Sequence, residues 1–350
     1  MGTRRASITD LAKQLNLSPS TISRALSDHE DVSQATKDRV RQLATALNYQ
    51  PNQLAAGLRK GRSKMLGVLV PHITGNFFPQ VVHGIATEAN LSGYNVMIFQ
   101  SNEDEQQERK NIELLMNAQV EGILVSLANS THNFEHFEMV QDNTLPLVFF
   151  DRIVEGIAGA SVGAVVIDDY QGAYEVVTHL VSQGCTRIAH FTGPLHLNIY
   201  RNRHQGYLDA LQAHGLPVRE ELTVFGEMSL AGGTEGMRQL LALPQRPDAV
   251  FFSIDVAAVG AMQVLKKAGI RIPQDIALAG FSNEQFTAFT DPSITSVDQN
   301  CELMGRTAVQ MLLDMVTDNP ERPASPHNIV LKPKLLIRES SLRKPGVAVS

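Results

Sequence analysis

The chain of 350 residues is poor in cysteine and has no long hydrophobic run. Its two cysteines, Cys185 and Cys301, lie far apart and form no C-x-x-C pair, which argues against a disulfide-stabilised small fold and a cysteine-rich zinc site. The longest apolar stretches, such as 65–70 and 145–150, fall well short of the roughly 20 residues that a membrane-spanning helix needs. These absences predict a protein of a reducing compartment that has no membrane partner.

The first residues also lack the features of an export signal. Arg4 and Arg5 lead directly into a polar, periodic segment that has neither an apolar core nor a small-residue cleavage site. We therefore expect a cytoplasmic protein.

Motifs that carry catalysis are scarce. Residues 159–163 satisfy G-x-S-x-G, but a strand rather than a helix is expected after them, so we interpret the segment as a loop. His132 and His136 are four residues apart in a helical stretch, yet no H-E-x-x-H motif or third ligand accompanies them, and we interpret them as part of a solvated helix face. The sequence contains no P-loop and no G-x-G-x-x-G motif. We expect neither an enzyme nor a bound metal or cofactor.

The sequence does contain enough apolar material, 43% of its residues, for two or three ordinary domains. Its net charge of -6 is unevenly distributed. The first 64 residues hold 11 of the 30 lysines and arginines and 5 of the 36 acidic residues, a local balance of +6, so the other 286 residues carry -12. A small basic head on an acidic body predicts a polyanion-binding module joined to a part with a different role, with a merely solvated basic surface as the alternative.

Three short helices are predicted in the basic head. Apolar residues recur at helical spacing from residue 8 to residue 15, which predicts a first helix over 9–16 with Thr9 or Asp10 as its N-cap. Ser18 followed by Pro19 is typical of the start of a helix, and this second helix is expected to end near Leu26. A third helix is expected over about 34–47. A tight turn between the first two helices predicts a helix-turn-helix arrangement.

The second of these helices carries side chains suited to reading DNA. A helix fits the major groove of B-DNA, where residues of its first turns meet the base edges. Arg24 has the chemistry for a bidentate pair with guanine, and Ser20 and Thr21 are placed to contact bases or phosphates. Backbone N–H groups at a helix start can hold phosphate oxygens. For Thr21 or Ser23 taken singly, plain solvation is the alternative.

The order of these segments resembles the N-terminal signature of the lactose-repressor (LacI/GalR) family of bacterial transcription regulators. The residues that carry the resemblance are ITDLA at 8–12, LSPSTISRAL at 17–26 and NYQPN at 48–52. The resemblance implies a set of residues that contact or position DNA. These are Thr9, Ser18, Pro19, Ser20, Thr21, Ser23, Arg24, Tyr49, Asn52, Ala55 and Leu58.

The resemblance also implies a hinge helix after the Y-x-P-N motif, which orders on DNA and inserts a leucine, here Leu58, into the minor groove. The sequence departs from the family pattern at Ala56, where many relatives carry arginine, and at Gly57, where many carry another residue than glycine. A glycine in a helix costs about 1 kcal/mol relative to alanine, so we expect this hinge to be weakly helical without DNA. A basic linker over 53–64 is the alternative.

From residue 65 onward, apolar segments alternate with helical ones. One series runs from 65–70 to 145–150, and a second runs from 164–167 to 276–279. Apolar strands separated by helices predict parallel sheets that are covered on both faces. Two such units, with the carboxyl ends of their strands facing each other, form a cleft that binds ligands.

The resemblance extends to about residue 342 and implies a small all-α head and an α/β body of two doubly wound parallel sheets, like the periplasmic sugar-binding proteins. The expected organisation is a head over 1–51, a hinge over 52–64, an effector-binding and dimerisation domain over 65–342 and a tail over 343–350. The first lobe of the body is expected over about 65–163 and 298–327, and the second over about 164–297 and 328–342. No heptad pattern follows residue 342, so a dimer is expected rather than a tetramer.

The resemblance further implies effector-binding residues in the cleft, namely Phe77, Phe78, Asp151, Arg203, Ile254, Asp255 and Ser282. The two phenylalanines would cover the apolar face of a sugar, while Asp151 would accept hydrogen bonds from its hydroxyls and Arg203 would donate to them. Core packing and a structural ion pair are the respective alternatives. Ile254 and Ser282 stand where many relatives carry asparagine and aspartate, which predicts an effector that is unusual, modified or charged.

Together these observations predict a dimeric transcription regulator, a repressor, that binds a palindromic operator in double-stranded DNA. A small carbohydrate-like effector in the cleft would control it. Two alternatives stay open: a regulator controlled by a protein partner, as in catabolite control, and a sugar-binding receptor.

Overall fold

In the computed structural model, the chain forms two compact units that divide between Ser63 and Lys64. The structure describes residues 6–49, 63–156, 159, 161–317 and 328–343. Among the helices of these residues, none is both long and apolar enough to span a membrane.

The first unit is a head of three helices, α1 (Ile8–Leu15), α2 (Pro19–Leu26) and α3 (Gln34–Ala46). Their apolar faces meet in a small core that includes Leu11, Ile22 and Val40. The three predicted helices are confirmed, with bounds that agree to within one residue.

The predicted N-cap of α1 is wrong. Ser7 caps the helix: its hydroxyl accepts a hydrogen bond from the Asp10 N–H at 3.3 Å, and the Asp10 carboxylate accepts one from the Ser7 N–H at 2.8 Å. This reciprocal capping box places Asp10 in the first turn, where a carboxylate also favours the helix dipole. The helix therefore starts one residue before the expected position.

The first lobe of the body is built on six strands, β1 (Met65–Val70), β2 (Asn95–Gln100), β3 (Ile123–Val125), β4 (Leu147–Phe150), β5 (Val162–Ile167) and β11 (Asn328–Leu331). All pair in parallel, in the order β11-β5-β4-β3-β1-β2. Its helices are α4 (Phe77–Leu91), α5 (Glu105–Asn117), α6 (Glu135–Asp142) and α11 (Cys301–Thr317). One hydrophobic cluster includes Phe150 and Met304, and a second includes Phe137 and Phe149. Apolar side chains therefore cover both faces of the sheet, as parallel pairing requires.

The second lobe is built on four parallel strands, β6 (Ile188–Thr192), β7 (Thr223–Phe225), β8 (Ala249–Phe252) and β9 (Ala277–Ala279), in the order β7-β6-β8-β9. Its helices are α7 (Asp169–Ser182), α8 (Asn198–Ala213), α9 (Leu230–Leu241) and α10 (Asp255–Lys267), with short 3-10 turns at Glu220–Leu222 and Gln285–Ala288. Two further strands, β10 (Ser296–Asp298) and β12 (Lys334–Leu336), pair in antiparallel fashion. The alternation of strands and helices that the sequence predicts is confirmed.

Two of the expected lobe boundaries are wrong. Strand β5 pairs with β4, and β11 pairs with β5, so residues 164–167 and 328–331 belong to the first sheet and not to the second. The chain therefore leaves the first sheet after Ile167 and again after Leu331. Apolar periodicity cannot reveal this, because a strand that is buried on both faces has the same pattern in either sheet.

The interpretation of His132 and His136 as a solvated helix face is also wrong. Helix α6 begins at Glu135, so His132 precedes it, and His136 is fully buried. The His136 Nε2 lies 2.9 Å from the Glu108 carboxylate, which also accepts hydrogen bonds from the Thr131 hydroxyl and the Ala128 N–H, each at 2.8 Å. The His136 imidazole can be buried because Glu108 of α5 supplies its hydrogen-bond partner. The two residues are 28 positions apart, so no local pattern indicates the contact.

Helices α4 and α11 approach each other so closely that each requires a glycine at the crossing. A Cβ atom on Gly84 would lie 2.3 Å from the backbone oxygen of Glu302, and one on Gly305 would lie 2.1 Å from the backbone oxygen of Val81. Because both obstacles are backbone atoms of a packed helix, no side-chain rotation can relieve the clash.

We therefore expect Gly84→Ala to destabilise the protein by about 1–3 kcal/mol, since the two helices must separate. Alanine alone would favour an isolated helix by about 1 kcal/mol, so the sign of the change discriminates between the two effects. Urea denaturation of the full chain measures it. An unchanged or increased stability would show that the helices do not meet at this glycine.

Candidate functional site

The exposed surface of α2 carries most of the side chains predicted to contact DNA. Ser18, Pro19, Ser20 and Arg24 are exposed, and Thr21 and Ser23 are half-buried. The Ser18 hydroxyl accepts a hydrogen bond from the Thr21 N–H at 3.1 Å and thereby caps the helix. This cap fixes the first turn of α2, the part of a DNA-reading helix that meets base edges.

The remaining predicted DNA residues divide into three groups. Thr9 is exposed on the first turn of α1, where its hydroxyl lies 2.7 Å from that of Ser7. Tyr49 is half-buried and packs against the core of the head, so its side chain has a structural role there. The other three, Asn52, Ala55 and Leu58, lie outside the described residues.

Two of the basic residues of the head have a structural role. Lys37 Nζ and Arg41 Nη2 lie 3.3 Å and 2.6 Å from the same carboxylate oxygen of Asp28, and they hold the pKa of that carboxyl below its usual range. Arg24 and Arg39 are exposed and form no ion pair among residues 6–49. These two cations are therefore free to meet an anionic partner.

In the body, the carboxyl ends of strands from both sheets surround a cavity of about 310 Å³. His72 follows β1, Asp151 and Arg152 follow β4, Ser253 follows β8, and Gln299 follows β10. Parallel strands place the side chains after their carboxyl ends at one edge of a sheet, which is where such folds bind ligands. The cavity is therefore a candidate ligand site.

Six of the seven predicted effector residues line this cavity, namely Phe77, Phe78, Asp151, Arg203, Ile254 and Ser282. Asp255 is not among its lining residues. The carboxylate of Asp255 accepts hydrogen bonds from the Ser296 hydroxyl at 2.7 Å and from the Glu284 N–H at 2.8 Å, and burial raises its pKa to about 7. Asp255 thus supports the wall of the cavity from behind, which corrects its expected place at the ligand.

The floor of the cavity is organised by Arg203, a buried residue of α8. Its Nε donates to Asp169 at 2.8 Å, its Nη1 to the backbone oxygen of Ser253 at 2.7 Å and its Nη2 to Gln299 at 3.4 Å. The guanidinium also lies 3.8 Å from the centre of the Phe281 ring, in cation–π geometry. One side chain thereby joins the start of α7, the end of β8 and the segment after β10.

Asp151 and Arg152 form the opposite wall. Asp151 is buried, and this burial raises the pKa of its carboxyl against the opposing influence of Arg152 and Arg203. The Arg152 Nη1 donates to both oxygens of the Glu103 carboxylate, at 2.8 Å and 3.0 Å. The backbone oxygen of Asp151 accepts from the Asn198 amide at 2.9 Å, which connects this wall of the first lobe to α8 of the second.

The residues that sequence reasoning missed share positions in loops and at helix starts around the cavity. They are His72, Thr74, Gly75, Arg152, Ile199, Tyr200, Met228, Ser253, Val256, Glu284, Phe286 and Gln299. Three of them, at positions 72, 152 and 253, lie one or two residues after a strand of a parallel sheet, so the carboxyl-end rule could have found them. Gln299 follows β10, which pairs in antiparallel fashion, and the rule does not apply to it. No local pattern marks Met228 or Phe286.

The lining of the cavity has an apolar part and a polar part. The rings of Phe77 and Phe78 meet edge to face with their centres 5.0 Å apart, and Ile199, Ile254 and Val256 add further apolar surface. The polar part of the lining consists of carboxylates, guanidinium groups, hydroxyls, an imidazole and an amide. This arrangement suits a small molecule that has an apolar face and hydrogen-bonding groups at its edge.

We expect Arg203→Met to destabilise the protein by about 3–5 kcal/mol, because the Asp169 carboxylate would stay buried without its partner. Arg201→Met is the matched control, since Arg201 lies on the same helix and pairs with Glu155 at the surface, where such a pair contributes about 1 kcal/mol or less. Urea denaturation measures both. Equal losses for the two variants would contradict the role of Arg203 in the cavity floor.

The two units each match a known family. Residues 7–52 match the lacI family of bacterial regulatory proteins, and residues 177–341 match the periplasmic binding protein-like domain. The transcriptional repressor CytR of Escherichia coli (strain K12) is 34% identical over 311 residues, which cover 89% of this chain and 90% of that protein. The ribose operon repressor of the same strain is 32% identical over 314 residues, which cover 89% of this chain and 93% of that protein.

Solved structures agree with this similarity. The structure of the transcriptional regulator CelR in complex with cellobiose has a TM-score of 0.72 at 27% identity and covers 96% of this chain and 100% of that one. The lac repressor dimer bound to operator and the anti-inducer ONPF has a TM-score of 0.84 and covers 97% of this chain and 100% of that one. Its identity of 23% shows similarity of fold alone. The predicted fold class, a helix-turn-helix head with a periplasmic-binding-protein-like α/β body, is confirmed.

Proposed function

The chain belongs to the LacI family of bacterial transcription regulators, and on that premise we propose that it is a repressor which binds a palindromic operator as a homodimer. A small carbohydrate-like effector in the cavity of the body controls its affinity for DNA. The relatives named above are transcriptional repressors and not enzymes. The observation that carries the proposal is the combination of two features in one chain. Helix α2 is capped and exposed and carries an arginine that forms no ion pair among residues 6–49, and the body has a cavity lined by both polar and apolar groups.

Direct reading of bases is supported by the side chains of α2. A guanidinium that forms no ion pair among residues 6–49 is available to donate two hydrogen bonds to guanine. Ser20 is exposed one residue after Pro19, near the start of the helix, where hydroxyls and backbone N–H groups commonly contact phosphates. We therefore assign base recognition to Arg24 and positioning on the DNA backbone to Ser18, Ser20 and Thr21.

A homodimer is supported by large apolar side chains that the single chain leaves exposed. Phe289 is 87% exposed, and Ile98 is 44% exposed on β2, an edge strand of the six-stranded sheet. Exposed apolar groups and unpaired sheet edges are commonly covered by a partner. A twofold dimer would present two heads, which matches the symmetry of a palindromic operator.

Control by a small molecule is supported by the cavity. Its volume of about 310 Å³ lies within the range of ligand sites, and its phenylalanines and carboxylates are suited to the apolar faces and hydroxyls of a carbohydrate-like molecule.

Control by a protein partner is the second candidate, and one experiment distinguishes it from control by a small molecule. A small-molecule filtrate of a cell extract should alter the operator affinity of the wild type but not that of Asp151→Ala if the cavity binds the effector.

The experiment that tests the proposal is selection from a random duplex library by the purified protein, followed by sequencing of the retained DNA. We expect an enriched palindrome with two half-sites. Retained DNA without a common sequence, even when small-molecule filtrates are added, would contradict a sequence-specific repressor. Sedimentation of the protein with the selected duplex counts the protomers on each operator, and a single protomer would contradict the dimer.

Arg24→Ala should relax the base preference at one position in each half-site, with a loss of about 1–3 kcal/mol for the preferred base there. Arg39→Ala is the matched control, because Arg39 is an equally exposed cation of the head that lies on α3. Its loss should weaken binding to all duplexes alike or not at all. Selection with both variants compares them, and equal effects on every sequence would overturn the assignment of α2 as the recognition helix.

A further inference from the structure

One carboxylate in the cavity joins the two lobes without forming an ion pair among the described residues. Glu284 follows β9 in the second lobe and lines the cavity. Its Oε1 accepts a hydrogen bond from the N–H of Asn76, the residue before α4 of the first lobe, at 3.2 Å. A Cβ atom on the neighbouring Gly75 would lie 3.5 Å from the same oxygen, so the carboxylate packs directly against this turn.

The start of α4 lacks a side-chain cap of its own. The helix has 15 residues, and the side chain of Asn76 makes no capping hydrogen bond. The first N–H groups of a helix have no intrahelical partner and form the positive end of its dipole, which attracts anions. Glu284 therefore supplies, from the other lobe, the negative group that α4 does not supply itself.

Both guanidinium groups of the lining already have a carboxylate partner. Arg203 is paired with Asp169 at 2.8 Å, and Arg152 is paired with Glu103 at 2.8 Å. Asp151 lies 3.9 Å from the Arg152 Nε, so Glu284 is the carboxylate of the lining that forms no ion pair among the described residues. Each guanidinium group of the lining is therefore already paired when a ligand with a phosphate or carboxylate group enters. The start of α4 is the place best suited to bind such an anion, and there the ligand would be repelled by the Glu284 carboxylate.

We propose that Glu284 is a specificity-determining residue, which occupies the anion-binding start of α4 and restricts the effector to uncharged molecules. Phosphorylated and carboxylated sugars are excluded by repulsion from this carboxylate. The inference rests on the proposed function in that it takes the cavity to be the effector site. The sequence predicts an effector that is unusual, modified or charged. The role of Glu284 excludes anionic molecules from these possibilities.

Inorganic phosphate is the probe that tests this role without knowledge of the effector. Since the chain contains no tryptophan, Phe286→Trp places a single indole in the cavity wall, where its fluorescence reports binding in the cavity and not at the head. Phosphate is titrated, at constant ionic strength, into this parent and into the parent with Glu284→Gln. The amide keeps the size of the side chain and removes its charge. Glu235→Gln in the same parent is the control, since Glu235 is an exposed carboxylate of α9 that pairs with Arg238.

We expect phosphate to bind the Glu284→Gln protein saturably and at least tenfold more tightly than the parent or the Glu235→Gln control. Phosphate should also raise the Tm of this protein by about 2 °C more than an equal ionic strength of chloride does. An equal response in all three proteins would overturn the proposal. Glu284→Ala in the same parent removes the whole carboxylate group and is titrated as well. If phosphate changes neither the fluorescence nor the Tm of any of these proteins, the start of α4 is no anion site and the proposal is wrong.

Failure of this inference is distinguishable from failure of the proposed function. The phosphate titration contains no DNA and reports only on the cavity. Selection from the duplex library reports on DNA binding by the head. Circular dichroism of each variant, compared with the parent, shows whether the substituted protein is folded before either result is interpreted.

Discussion

The arrangement of the cleft depends on the buried guanidinium of Arg203. It donates to Asp169 at the start of α7, to the backbone oxygen of Ser253 after β8 and to Gln299 after β10. Moving a charge out of water costs several kcal/mol, and this cost is offset only if the partners of the guanidinium are all in place. The three segments are consequently held in one arrangement, and the cavity that they enclose has a defined shape before any ligand enters it.

The direction of the strands explains why polar side chains gather at this place. Both sheets are parallel, so each strand must end at the same edge, and the residues that follow it leave the apolar core there. Asp151 and Arg152 leave β4 in this way, and Ser253 leaves β8. The apolar rings of Phe77 and Phe78 come instead from the first turn of α4. The cavity therefore combines hydrogen-bonding groups with apolar surface without a separate binding module.

The sequence predicted most accurately those features whose determinants are close together along the chain. Ser18, Pro19 and the apolar spacing of α2 lie within ten residues, and the bounds of that helix were predicted correctly. Asp151 and Arg203 were placed in the cleft by family resemblance, not by any local pattern, and both line it. The resemblance placed Asp255 at the ligand, and this was wrong because its carboxylate accepts a hydrogen bond from Ser296, 41 residues away. Local spacing likewise could not show that His136 is buried, because its partner Glu108 lies on another helix. Nor could the sequence indicate Glu284, because its contact with Asn76 forms only where the two lobes meet.

The proposed coupling of the cleft to DNA is tested most directly by hydrogen exchange of the full protein, alone and with a selected operator duplex. Because coupling between two sites is reciprocal, an effector in the cleft can alter DNA affinity only if DNA alters the cleft. The account predicts that operator binding changes the exchange rates of backbone amides around 72–78 and 282–288, as well as those of the head. Changes confined to the head, equal to those caused by a duplex of random sequence, would contradict it.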